Sequence, residues 1–136
     1  MRLFESSNSK PIKIFAGHEK RVFHVSFSPL MPEIFASGSD DLSVNVWNVN
    51  QETPVKVMKG HTHNVRAICF NPVLPWCLIT GAWDATIKLW DIRSGQCIYT
   101  IAEHNADIYG ITFHPERPFV FISSSRDTSL RFWQMD

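Results

Sequence analysis

Histidine, aspartate and a hydroxyl-bearing residue occur together in this chain in three sets: His18, Ser37 and Asp41; His61, Thr80 and Asp84; His104, Ser123 and Asp127. These are the residue types with which a hydrolase activates a hydroxyl nucleophile. The trio, however, returns in every period of the chain and is followed each time by a tryptophan, at Trp47, Trp90 and Trp133. No nucleophile elbow and no oxyanion loop accompanies any copy. A catalytic set has no reason to be repeated at constant spacing, so the sequence points to no catalytic residue and to a protein that is not an enzyme. His61 and His63 form a His-x-His pair, but zinc would need further Cys or His ligands at fixed spacing, and none follow. His24 and His114, on or just after the first strands, read as surface or satisfied core positions. No glycine-rich phosphate loop is present. Neither a metal nor any other cofactor is expected.

The spacing leads to the elements that must carry these residues. The histidines, hydroxyls, aspartates and tryptophans all recur at 43 residues, as do Pro29, Pro72 and Pro115. Such a period belongs to stacked supersecondary units, none able to bury its own faces alone. Within each period the pattern is strand. The first runs are Arg21–Pro29, Asn64–Pro72 and Asp107–Pro115; the second are Glu33–Ser39, Trp76–Ala82 and Phe119–Ser125. The third runs are Ser43–Val49, Thr86–Ile92 and Ser129–Met135, and a short fourth run covers Val55–Met58 and Cys97–Ile101. Val, Ile, Phe and Trp fill the runs, and Gly, Pro, Asn, Asp and Ser separate them. Four strands per period joined by short turns make an antiparallel meander. Several runs are apolar on both faces (Phe35 and Ala36, Leu89 and Trp90), as suits a sheet held between two others.

Bulk properties narrow the function classes. The chain has 136 residues, 44% hydrophobic and 19% charged, within the range of one folded domain. Lys plus Arg equals Asp plus Glu, so no net charge draws the chain to nucleic acid or to an anionic membrane. No window approaches 18 consecutive apolar residues, and residues 1–10 lack the apolar core of a signal peptide. Cys69, Cys77 and Cys97 form no CxxC pair and read as small hydrophobes in a reducing compartment. An intracellular protein, cytoplasmic or nuclear, is expected.

With the period, Gly17-His18, Gly60-His61 and Trp90-Asp91 in view, the chain resembles the WD-repeat family of β-propellers over roughly residues 12–136. It departs from the family pattern at Glu103-His104, and at Asn48 and Gln134 after the other two tryptophans. The resemblance implies an all-β fold: a partial propeller of three four-stranded antiparallel blades, the last lacking its fourth strand. An N-terminal tail, 1–11, would precede repeats at 12–50, 51–93 and 94–136. In such repeats the recurring polar residues form one hydrogen-bonded network per blade, from indole to hydroxyl to imidazole to carboxylate. Each tie nets roughly 0.5–1.5 kcal/mol.

The family pattern also implies a partner-binding rim, at positions just before the repeated Asp and three and five after the repeated His. Here these are Asp40, Trp83 and Arg126, then Arg21, Asn64 and Asp107, then Phe23, Arg66 and Tyr109. Trp, Tyr and Arg are the types that dominate interaction hot spots; the competing reading packs Phe23 and Tyr109 into the core. The expected function is therefore a scaffold docking proteins or peptides. An alternative comes from Leu78–Arg93, which resembles the sixteen-residue box of substrate receptors for cullin-4 ubiquitin ligases. In that resemblance Asp91 and Arg93 touch the ligase adaptor from the opposite rim, although most of the box is the repeat itself. Arg21, Arg66 and Arg126 could line a local patch for nucleic acid, which the neutral charge disfavours.

Complete propellers generally carry four to eight blades. Ile12–Phe15 reads as the fourth strand of a blade whose other strands are absent, and the final blade ends before its own. Two apolar faces and two strand edges would then be open. The expectation is that remaining blades come from a longer parent chain, or that two copies close a six-bladed ring.

Overall fold

Runs of apolar residues within each period produce an antiparallel sheet whose two faces must both be covered. In the computed structural model, which describes residues 2–4 and 11–135, three such sheets stack side by side. The first contains β3 (Val22–Phe27), β4 (Ile34–Ser39), β5 (Ser43–Asn48) and β6 (Lys56–Lys59) in sequential order. The second contains β7 (Val65–Phe70), β8 (Cys77–Ala82), β9 (Ile87–Asp91) and β10 (Gln96–Ile101). The third has three strands, β11 (Ile108–Phe113), β12 (Val120–Ser125) and β13 (Leu130–Gln134). The fold is all-β, a run of propeller blades, and among the described residues no helix is long and apolar enough to cross a membrane.

The core lies between blades. Ala36, Val44, Val46 and Met58 of the first blade pack on Ile68, Phe70, Leu78 and Trp90 of the second. Ala67, Cys77, Ile79 and Ile87 of the second meet Ile108, Ile111, Phe113 and Phe121 of the third. The central strand β8 is buried along its whole length, which explains its unbroken run of small and apolar residues. Gly81 allows the closest approach: a Cβ there would stand 2.5 Å from Ile108 Cγ2 of the next blade.

The N-terminal residues hold more regular structure than the sequence indicated. β1 (Arg2–Phe4) pairs with β2 (Pro11–Ile14), with Arg2 opposite Ile14 and Leu3 opposite Lys13. One period later Asn45 stands opposite Val57 and Val46 opposite Lys56. β1 and β2 thus repeat the register of a third and a fourth strand. The strand expected at Ile12–Phe15 has a companion, within the stretch expected to be tail. A three-residue strand carries too little alternation to be read from sequence. Just beyond β2, Phe15 is buried against Phe35 and Trp47, the place Met58 takes one blade later.

Candidate functional site

Three polar networks stand at equivalent places. In the second blade Trp90 Nε1 donates to Thr80 Oγ1 at 2.8 Å, Thr80 Oγ1 lies 2.7 Å from His61 Nε2, and His61 Nδ1 lies 2.9 Å from Asp84 Oδ2. In the first blade the same ties join Trp47, Ser37, His18 and Asp41 at 2.8, 2.6 and 2.9 Å. In the third they join Trp133, Ser123, His104 and Asp127 at 2.8, 2.7 and 2.8 Å. Because the carboxylate faces Nδ1, that nitrogen carries the proton, and Nε2 accepts from a hydroxyl whose lone pair receives the indole N–H. The hydroxyl's only proton is therefore committed to the imidazole, and Ser37, Thr80 and Ser123 are all buried.

Each aspartate does more than hold an imidazole. Asp84 Oδ2 also accepts Thr62 N–H at 3.0 Å, while Oδ1 accepts the Thr86 N–H at 2.9 Å and hydroxyl at 2.6 Å. Ser43 and Ser129 give the equivalent carboxylates the same pair of bonds. Burial would raise the Asp84 pKa, but hydrogen bonds from His61 and Thr86 overcome it and hold the carboxyl well below the usual range. Asp41 is lowered in the same way, against burial, with Ser43 the leading donor; for Asp127 the leading donor is Ser129. Between Asp and hydroxyl the chain passes through left-handed backbone at Leu42, Ala85 and Thr128, with φ of 74°, 68° and 74°. The carboxylate thus closes a turn that side chains with a Cβ otherwise avoid. Ser43, Thr86 and Ser129 were missed as network members, although their 43-residue recurrence was available as a signal.

The rim is built on β-bulges. In each first strand the ladder skips one residue: Phe23 between Val22 and His24, Arg66 between Val65 and Ala67, Tyr109 between Ile108 and Gly110. A bulge turns its extra side chain out of the alternating pattern. The neighbouring rim positions are tied by backbone bonds of 2.9 Å, Asp40 N–H to Arg21 O, Trp83 N–H to Asn64 O, and Arg126 N–H to Asp107 O. Phe23 and Tyr109 are exposed rather than packed in the core.

These residues form a row across the blades. Arg21 Nε and Nη2 both reach Asp40 Oδ2 at 3.0 Å. Arg66, whose side chain is only 9% exposed, lies between two rings, its guanidinium carbon 3.2 Å from the Phe23 centroid and 3.9 Å from that of Trp83. Trp83 meets Tyr109 edge-on at 6.1 Å, with the rings at 85°. Farther along, Arg126 approaches Asp107 at 3.8 Å. His63, which shares no metal cluster among the described residues, stands beside Trp83 with ring centroids 6.0 Å apart.

At the other end of β9, Arg93 grips Asp91 through Nε and Nη2, both at 3.0 Å, and this pairing lowers the Asp91 pKa and raises that of Arg93. Arg93 is well exposed and lies over the Trp76 ring at 5.1 Å. Cys77 is buried and its thiol is pushed up to about 12 by that burial, which makes it unreactive.

Comparison with known proteins agrees with this geometry. The chain is 46% identical over 43 residues to E3 ubiquitin-protein ligase COP1 of Pisum sativum, covering 32% of this chain and 6% of that protein. It is 40% identical over 45 residues to a coronin-like protein of Saccharomyces cerevisiae, covering 33% and 7%. To Protein SUPPRESSOR OF PHYA-105 1 of Arabidopsis thaliana it is 35% identical over 52 residues, covering 38% and 5%. The chain thus spans less than a tenth of the length of these curated relatives. A narrower likeness suggested by the sequence, to WD-repeat-containing protein 17, finds no support among them. The family model of the WD domain, G-beta repeat, matches at residues 9–48, 52–91 and 95–134, and the chain belongs to that family.

Proposed function

We propose that this chain is a protein-interaction scaffold that docks peptide or protein partners on the rim formed by its bulged residues. The observation that carries the reading is the row Phe23, Arg66, Trp83 and Tyr109, in which a desolvated guanidinium is held between the exposed Phe23 and the half-buried Trp83, with Tyr109 exposed beside them. Rigid aromatics and a fixed arginine offer contact area with little entropy to lose on binding. The polar networks beneath act as struts that hold the blade edges in place. Selection of random peptides on the purified chain, followed by affinity measurement on variants, tests this. Tyr109→Ala or Trp83→Ala should weaken selected peptides by roughly 2 kcal/mol or more, while Arg93→Ala should not. Unchanged affinity in both rim variants would remove the rim from consideration.

A second reading, a substrate receptor of a cullin-4 type ubiquitin ligase, is favoured by the pairing of exposed Arg93 with Asp91 and by the ubiquitin-ligase relative. Asp91 takes Nε and Nη2 of Arg93, which orders the guanidinium and leaves its outer Nη1 and Nη2 hydrogens for an adaptor. This reading expects Arg93→Ala to lose co-precipitation of the adaptor while Tyr109→Ala retains it. Equal recovery with Arg93→Ala would end it.

A further inference from the structure

Buried donors without acceptors are rare in folded proteins, because each forfeits about 1–3 kcal/mol of lost solvation. Among the described residues there are four such donors: Asn45 Nδ2 in β5 and, together in the rim cluster, Arg66 Nε and Nη1 and Trp83 Nε1. The nearest carboxylate does not satisfy them. Asp40 Oδ2 is taken by Arg21, and Asp40 Oδ1, itself unpartnered, stands 3.5 Å from Arg66 Nη2, too far for a hydrogen bond. The other four tryptophans differ in place or state. Trp47, Trp90 and Trp133 donate to network hydroxyls, and Trp76 lies at the opposite end of the blade beside Arg93.

From this surplus of donors we infer that Arg66, with the Trp83 indole N–H, is the receptor for a single carboxylate side chain of an acidic peptide. The inference rests on the rim reading above and adds the chemistry of what the rim takes. Charge selects a carboxylate over a phosphate: Arg21 and Arg66 against Asp40 leave one positive charge, which one carboxylate neutralises and a dianion would overshoot. Planar geometry agrees, since a guanidinium offers two parallel N–H bonds to a carboxylate. Stacking against Phe23 and Trp83 holds the fork in place and keeps water off it. Nε and Nη1 are covered in this structure, so a carboxylate reaches them only if Phe23, itself exposed, turns aside.

The test uses the whole chain and four pools of random dodecapeptides whose central residue is fixed as Asp, Asn, phosphoserine or Lys, with affinity read by fluorescence polarisation. The Asp pool should bind about ten-fold or more tightly than the isosteric Asn pool, as charge-assisted bonds imply. That preference should fall to about two-fold or less in Arg66→Gln and persist in Arg93→Gln. Trp83→Phe, which keeps the ring and removes only the N–H, should lose part of it and covers the case in which Arg66→Gln fails to fold. Equal binding of the Asp and Asn pools would overturn the carboxylate while leaving the rim reading intact. So would an Asp preference that survives both Arg66→Gln and Trp83→Phe, or a phosphoserine pool that binds more tightly than Asp. Failure of every pool to bind would overturn the inference and the rim reading together.

Discussion

At the scale of single residues, the three aspartates decide most. Asp84 receives bonds from His61, Thr62 and Thr86, so removing its carboxylate leaves several donors unmatched at once, the buried His61 among them. Asp84→Ala is therefore expected to destabilise the chain by about 2–4 kcal/mol, seen as a lower midpoint in urea or heat. Retention of the wild-type midpoint would show that the network contributes little. The same carboxylates make stability depend on acid. Their pKa values are lower in the folded state than in the unfolded chain, where a carboxylate titrates near about 4. The stabilisation is therefore complete above that value and is lost as pH falls through the folded pKa. Melting temperature should drop steadily from about pH 5 towards pH 2, and the gap between wild type and Asp84→Asn should narrow over the same window. A gap that stays constant would assign the acid sensitivity to other groups.

At the scale of strands and blades, two devices shape the molecule. Bulges in the first strands lift Phe23, Arg66 and Tyr109 onto the rim, while the rest of each strand keeps its alternating burial. Small residues opposite them let the blades close. Gly38 and Gly81 have no room for a Cβ, which would lie 2.7 Å from Val65 Cγ1 and 2.5 Å from Ile108 Cγ2 respectively. Gly81→Val should therefore wedge the second and third blades apart at a cost of about 1–3 kcal/mol. In contrast, Gly60→Ala, with its nearest neighbour the Trp90 ring edge at 3.2 Å, should cost less. Paired denaturation curves compare the two, and an equal loss in both would mean that blade spacing is softer than the packing implies. Glu103, at the repeat position of Gly17 and Gly60, shows that one blade already accepts a side chain there.

At the scale of the whole molecule, the outward faces of the end blades continue the pattern of the inner ones. Leu130 and Phe132 are 72% and 67% exposed, whereas Val44 and Val46, at the same repeat positions, are 0% and 2% exposed. Val25 and Phe27 are likewise open where Ile68 and Phe70 are covered. Apolar side chains left open in this way favour association, which removes them from water. The chain alone is expected to associate through them, with a mass above that of the monomer by light scattering after size exclusion. Leu130→Lys combined with Phe132→Lys should return the mass to that of one chain without lowering the melting temperature, since neither side chain supports the interior. A wild-type chain that elutes as a monodisperse monomer would show that the faces tolerate water.

The sequence by itself determined the period, the blade architecture and four of the recurring polar positions in each blade. These depend on local alternation and on spacing that repeats, and both are carried along the chain. Strand positions agree to within a residue or two for the same reason. Tertiary structure alone decided how the rim residues meet. That Arg66 is clamped between Phe23 and Trp83, or that Asp40 is claimed by Arg21, depends on contacts between different blades, and no spacing along one strand encodes them. Ser43, Thr86 and Ser129 had the right recurrence, yet their role emerged only once the left-handed turn brought hydroxyl and carboxylate together. The third-strand register of Arg2–Phe4 was equally hidden, because three residues carry too few alternations to specify a strand until a partner pairs with them.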